Sequence, residues 1–280
     1  MSRKTAEVVL SAIVFVFLLL LEPLPVHAAA STLIQQNSDG CRLSGCTGTL
    51  AVSFLSDVAS GNVIVVGVVI YGGTVNSVSD SKGSTLTQAV SATFGSSSVY
   101  IYVATLSSSG SDTVTVSFSP AGEEEDVYIY EVSGVTTTGA GTGTGSGTGT
   151  LMSTSAVAFL SGAFLLGVMI TPSPRSVTAG AGFTLSPAPS LTYLSYAEYA
   201  TSGVSSPTTF PATVSSLSAW VEVGVALNPT AAPVGGFVES INKLGLLVPW
   251  LAVIGLVGCI GAVVVVARKR QSEREESQPT

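Results

Sequence analysis

The sequence predicts an all-β chain, a sandwich or barrel carried between two apolar terminal segments, and three observations support this. Short stretches rich in β-branched and aromatic residues recur along it. Gly, Ser, Pro and Asp punctuate those stretches, as turns require. No sustained helical period appears between the two terminal apolar runs.

The N-terminus places Arg3 and Lys4 before an apolar run from Val8 to Leu21, followed by the small residues Ala28, Ala29 and Ala30. Positive start, apolar middle and small residues at the cut are the layout of a signal peptide, here residues 1–28, with cleavage after Ala28 or Ala30. An apolar run of about 14 residues is short for a membrane span, which needs about 20. Export sets the redox compartment. Cys41 and Cys46 flank Arg-Leu-Ser-Gly and are expected to close a local disulfide outside the cell.

The candidate strands of the first half are Thr49–Leu55, Asn62–Tyr71, Thr85–Phe94, Ser98–Leu106, Thr113–Phe118 and Asp126–Val132. Asp80 to Gly83 reads as a turn with Gly83 at positive φ. Glu123 to Asp126 reads as a solvated acidic turn before a strand, since consecutive carboxylates on one chain rarely converge on one ion. The tract TTTGAGTGTGSGTGT, residues 136–150, is low in complexity and is expected to be a flexible loop. Beyond it come candidate strands at Gly162–Thr171, Leu191–Thr201 and Ala219–Leu227. The halves echo one another: SGNVIVVGVVI from Ser60 is matched by SGAFLLGVMI from Ser161, and VYIYEVSGV from Val127 by AWVEVGVAL from Ala219. Two similar halves could complete one sandwich over residues 31–230.

Several motifs come in a familiar order: SDSKGST from Ser79, DTVTVSF from Asp112, YEVSGV from Tyr130 and AEY from Ala197. This order resembles a β-sandwich module of secreted and surface prokaryotic proteins, which reads D-S-x-G-N-T, T-V-T-V, E-Y-S-G and then E-Y. Ser84 stands where the module has Asn, and Val132 where it has Tyr. The likeness spans about Gly61 to Leu227 and implies a jelly-roll-like sandwich with the Gly/Thr tract as an internal loop. It implies no reaction.

Residues 231–245 read as a juxtamembrane linker. From Leu246 to Ala267 the chain carries no charge, long enough for one transmembrane helix. Arg268, Lys269 and Arg270 follow at once, which places the tail, 268–280, in the cytoplasm and the sandwich outside. There is no LPxTG-type sorting motif. Gly255 with Cys259 and Gly258 with Ala262 repeat small residues at a spacing that lets helices approach, so weak homodimerisation through this helix is an expectation.

Charge and histidine content exclude several function classes. Between Ala30 and Gly245 there are 4 basic and 12 acidic residues, a net of −8 (4 − 12), so the basic footprint of a nucleic-acid binder is missing. The single histidine, His27, leaves with the signal peptide. The mature chain then has no material for Ser-His-Asp or Cys-His catalysis, and no metal site or cofactor is expected. The residues singled out for binding are Glu131, Glu198 and Glu222, with Trp220 and Tyr196 as aromatic neighbours on the same strand faces. Carboxylates beside aromatic rings could hold a glycan; paired at suitable separation they could hydrolyse one. The bland alternative has them facing solvent from a sheet whose other face is core. The E-x-D-x-E strand of laminarinase-type sandwich glycosidases is absent. The expected role is therefore a non-catalytic surface module for adhesion, ligand binding or the envelope, with a membrane-anchored hydrolase as the alternative. Its partners are the membrane and a glycan or protein ligand.

Overall fold

A computed structural model describes residues 30–121, 123–172, 176–189 and 195–230, together with Val264 and residues 268–270. The signal segment, the linker and all of the 246–267 span but Val264 lie outside the described residues. Among the described residues no helix is long and apolar enough to cross a membrane.

Residues 30–230 are all-β, and among the described residues every strand pairing is antiparallel. The first half supplies β1 (Thr32–Arg42), β2 (Thr49–Ser53), β3 (Val63–Tyr71), β4 (Val75–Asp80), β5 (Thr87–Phe94), β6 (Ser97–Thr105), β7 (Thr113–Phe118) and β8 (Glu124–Ser133). These form a larger sheet in the order β1-β8-β3-β6-β5 and a smaller one in the order β2-β7-β4. The second half supplies β9 (Gly141–Ser153), β10 (Phe164–Ile170), β11 (Val177–Thr178), β12 (Thr184–Leu185), β13 (Ser195–Ala200) and β14 (Pro211–Leu227).

The second half repeats the winding of the first. Its main sheet runs β9-β14-β10-β13-β12, strand for strand the order β1-β8-β3-β6-β5. Where β7 and β8 are separate strands, β14 is continuous, with a register shift between Thr213 and Ser218. Before that shift its first residues pair with Leu151–Ser153 on one side and with β11 on the other. That short trio corresponds to β2-β7-β4.

The two main sheets face each other across one core. Val63, Val65, Tyr128 and Tyr130 meet Phe164, Leu166, Val168 and Val223 there. A Cβ on Gly67 would lie 2.7 Å from Val168 Cγ2, so the glycine is what lets the sheets close at that point. The alternate residues of β3, Ile64 to Ile70, face outward into a second core with Val52, Val114 and Val116. Burial on both faces explains why β3 and β10 read as unbroken apolar runs rather than alternating ones. Both halves belong to one compact unit.

Two local expectations are corrected. The Gly/Thr tract is mostly strand, not loop: Gly141–Ser153 is β9, paired along β14. Its alternation is itself a period of two, with Thr on one face and Gly on the other. The Gly face lies under a returning segment; added Cβ atoms at Gly141 and Gly143 would meet the carbonyls of Ala158 and Ser155 at 2.7 and 2.6 Å. Ser155 N–H also donates to Thr144 O at 2.9 Å, which occupies part of the outer edge of β9. The acidic run is no solvated turn either. Glu124, Glu125 and Asp126 open β8 and are buried, with Glu124 4.0 Å from Arg42.

Candidate functional site: the strand carboxylates

Each carboxylate's placement follows from the alternation of its strand. Glu131 lies on the outer face of β8, Glu198 on β13 and Glu222 on β14. Both latter residues share the outer face of the second main sheet, in register with Gly167 and Met169 of β10. Glu131 is therefore separated from the other two by both main sheets and the core between them. All three side chains are fully buried, at 0% exposure, so the solvent-facing alternative is overturned. Extra layers cover faces that alternation alone leaves open.

Glu131 is fully engaged in holding chain segments together. Its Oε1 accepts from Ala59 N–H at 2.8 Å and Asn62 Nδ2 at 2.6 Å, and its Oε2 from Gln35 Nε2 at 2.7 Å. Gln35 in turn accepts from Ser56 N–H and donates to Ser56 O. The carboxylate thus ties the β2–β3 connection to the edge strand β1. Charge-assisted bonds of this kind are among the stronger ones in proteins.

Glu198 and Glu222 sit on either side of β10, where Gly167 leaves room. Phe210 fills the remaining space: a Cβ on Gly167 would lie 3.0 Å from its Cδ1, and one on Gly224 would overlap the ring. Glu198 Oε2 accepts from Gly180 N–H at 2.9 Å. Its Oε1 and both oxygens of Glu222 have no hydrogen-bond partner among the described residues, and neither does Trp220 Nε1. Two carboxylates enclosed with no cation beside them among the described residues cannot both be charged cheaply. Burial pushes Glu198 up to about 7, against the Gly180 N–H, which lowers it. Burial, then the charge of Glu198, push Glu222 well above the ordinary carboxylate range.

Trp220 and Tyr196 do share this face, as period-two alternation predicts. Trp220 is only 8% exposed; with Met152, Met169, Ala212 and Val214 it forms a small core, against which Tyr196 packs. Gly147 of β9 lies against its indole, 3.3 Å from Cζ2 to an added Cβ. Trp220 acts as packing, with Tyr196 half-buried beside it. The residues that sequence reasoning missed are the holders, Gln35, Asn62 and the Gly180 N–H, and the space-makers Gly167 and Gly224. A glycine inside an apolar run, as in LLGVMI, was the available signal for the latter.

The predicted disulfide is present between Cys41 and Cys46, at the corner where β1 leaves its sheet for β2. Cys41, Cys46 and Glu125 are also gathered at ligand spacing, but both sulfurs are taken up by the disulfide. No family model, curated protein or solved structure matches this chain.

Proposed function

We propose that this chain is a single-pass surface protein whose residues 31–230 form a non-catalytic extracellular module, two jelly rolls in tandem, serving in ligand holding, adhesion or the envelope. The observation that carries the reading is the enclosure of the strand carboxylates. A glycosidase needs two carboxyl groups on either side of a substrate that reaches them. Here Glu131 is saturated by three donors, and Glu198 and Glu222 lie at 0% exposure under Phe210 and its neighbours. The jelly-roll reading rests on strand order. Within each half one sheet runs first-eighth-third-sixth and the other second-seventh-fourth, the winding of two intercalated Greek keys. β5 departs from that pattern by joining the edge of the larger sheet. The Cys41–Cys46 disulfide suits an oxidising compartment. The uncharged run 246–267 and the Arg268-Lys269-Arg270 stop give the tether and its direction.

Topology is tested by cysteine labelling in cells that express the full chain. Ser108 is exposed on the β6–β7 connection, and Gln271 follows the basic stop. Ser108→Cys is expected to react with a membrane-impermeant maleimide on intact cells, and Gln271→Cys only after permeabilisation. Equal labelling of both on intact cells, or of neither, would refute the topology.

A further inference from the structure

The geometry points to a binding groove for a neutral oligosaccharide between β5 and the start of β9, remote from the enclosed carboxylates. The inference rests on the non-catalytic surface reading and names its ligand class.

The groove follows from the one place where the first half leaves the ordinary jelly-roll plan. β5 lies on the edge of the larger sheet, beside β6, instead of lengthening the smaller sheet. The smaller sheet therefore ends at β4, and the outer face of β5 and β6 is covered only in part, its tyrosines packing against the edge of the second core. On that face Tyr100 and Tyr102 stand two residues apart, half-buried, with ring centroids 6.3 Å apart and planes inclined by only 26°. Tyr102 donates its hydroxyl to Gln88 Oε1 at 3.3 Å, and Gln88 Nε2 donates to Ser91 Oγ at 3.1 Å. Gln88 is exposed and pairs with Tyr102 across the two strands. A register shift between Gln88 and Val90 bends β5 at this point.

Gln88 also lines a groove of about 670 Å³ that runs from this face to the crevice between the halves. That volume is within the range of small-molecule sites, roughly 300–1,000 Å³. The walls carry hydroxyls, among them Thr85, Thr87, Thr105, Thr137 and Thr142, over a floor that includes Val103 and Ala104. No charged side chain lines it.

Wall chemistry selects the occupant. With no cation in the wall and a net charge of −8 over Ala30–Gly245, a phosphate, a nucleic acid or an acidic sugar is disfavoured. The shallow Val and Ala floor has no deep apolar socket for a peptide's anchoring side chain. Hydroxyls that both donate and accept and one amide, over small apolar side chains, match a chain that is hydroxylated at its edges and apolar on its ring faces. A neutral oligosaccharide has that pattern.

The test is calorimetry on the full chain in a sugar-free detergent. The probes are hexasaccharides of β-1,4-glucan, β-1,3-glucan, α-1,4-glucan, β-1,4-xylan and β-1,4-mannan, with hexagalacturonate as the acidic comparator. At least one neutral hexamer is expected to bind with a Kd of about 1 mM or tighter. Thr87→Arg and Thr142→Arg change exposed residues and leave the core intact, and each is expected to weaken that binding by about tenfold or more. Gln88→Ala is expected to do the same, while Leu217→Ser, at an exposed site outside the groove, leaves it unchanged. Absence of binding by all five neutral hexamers, binding by hexagalacturonate alone, or equal binding by the two arginine variants would each overturn the groove. Reducing ends are counted in the same mixture. Cleavage that disappears in Thr87→Arg would sink the non-catalytic reading and uphold the groove.

Discussion

Replacing Glu198 and Glu222 together by Gln is expected to stabilise the protein at pH 7.5 by on the order of 3 kcal/mol or more, and to leave it nearly unchanged at pH 4. Glu198 has its carboxyl raised from 4.5 to about 7 in the folded state, chiefly by burial. The folded state therefore holds a proton that the unfolded chain has released between those two pH values. A raised carboxyl contributes its full stability below the unfolded value, and that contribution is lost as pH rises to the folded value. For Glu198 the window is 4.5 to about 7, and the loss is about 3 kcal/mol. Glu222 is also raised well above the ordinary carboxylate range, by burial and then by the charge of Glu198, so its contribution is lost in the same direction. Gln is neutral at every pH and keeps an acceptor for the Gly180 N–H, which removes the dependence while preserving the bond. Urea unfolding of both proteins at pH 4 and 7.5 gives the comparison. A wild type whose difference from the double variant does not change with pH would show that the pair is open to water.

The second large effect is expected at Phe210. Its ring is fully buried, lies over Gly167 and Gly224, and meets Phe183 at 5.5 Å between centroids. Phe210→Ala removes a fully buried ring from a small core with Val157, Leu165 and Ala226, over two glycines that have no side chain to fill the space, so a loss of about 3–5 kcal/mol is expected. The urea midpoint should fall with its slope unchanged, because the surface exposed on unfolding is nearly the same. A loss below about 1 kcal/mol would mean that the ring does not cover the carboxyl pair.

These two effects also mark what the sequence did and did not make legible. The strongly apolar strands were readable, because β3, β6, β8 and β10 are built of β-branched and aromatic residues between turn residues. The turn at Asp80 was readable too: Gly83 has a φ of 71°, and Asp80 Oδ1 accepts from Ser84 N–H at 2.7 Å. The polar strands were not. β1 (TLIQQNSDGCR) and β4 (VNSVSD) carry few apolar residues, since their outward positions face water. β9 was hidden by composition: fifteen Gly/Thr-rich residues look unable to order, yet Gly at every second position is what close backbone approach requires. The echo between halves was visible in β3 and β10, but the second small sheet is made of fragments two to four residues long and leaves no pattern.

At the candidate site, alternation correctly placed Glu222 with Trp220 and Glu198 with Tyr196. It could not show that another layer covers that face. The cover comes from Phe210, Met152 and Ala212, whose approach depends on glycines and on a bend in β14 that no local propensity encodes. Burial turned a candidate binding surface into an enclosed carboxyl pair. The open groove lies instead beside β5, where no carboxylate drew notice.

The claim that the carboxylates are enclosed is tested most directly by carbon-13 NMR of the Glu198 and Glu222 carboxyl carbons across a pH titration. Glu198 is expected to titrate at about 7, and Glu222 well above the ordinary carboxylate range. Midpoints near 4.5 for both would place the pair in water, contradict the enclosed sandwich, and reopen the hydrolase reading.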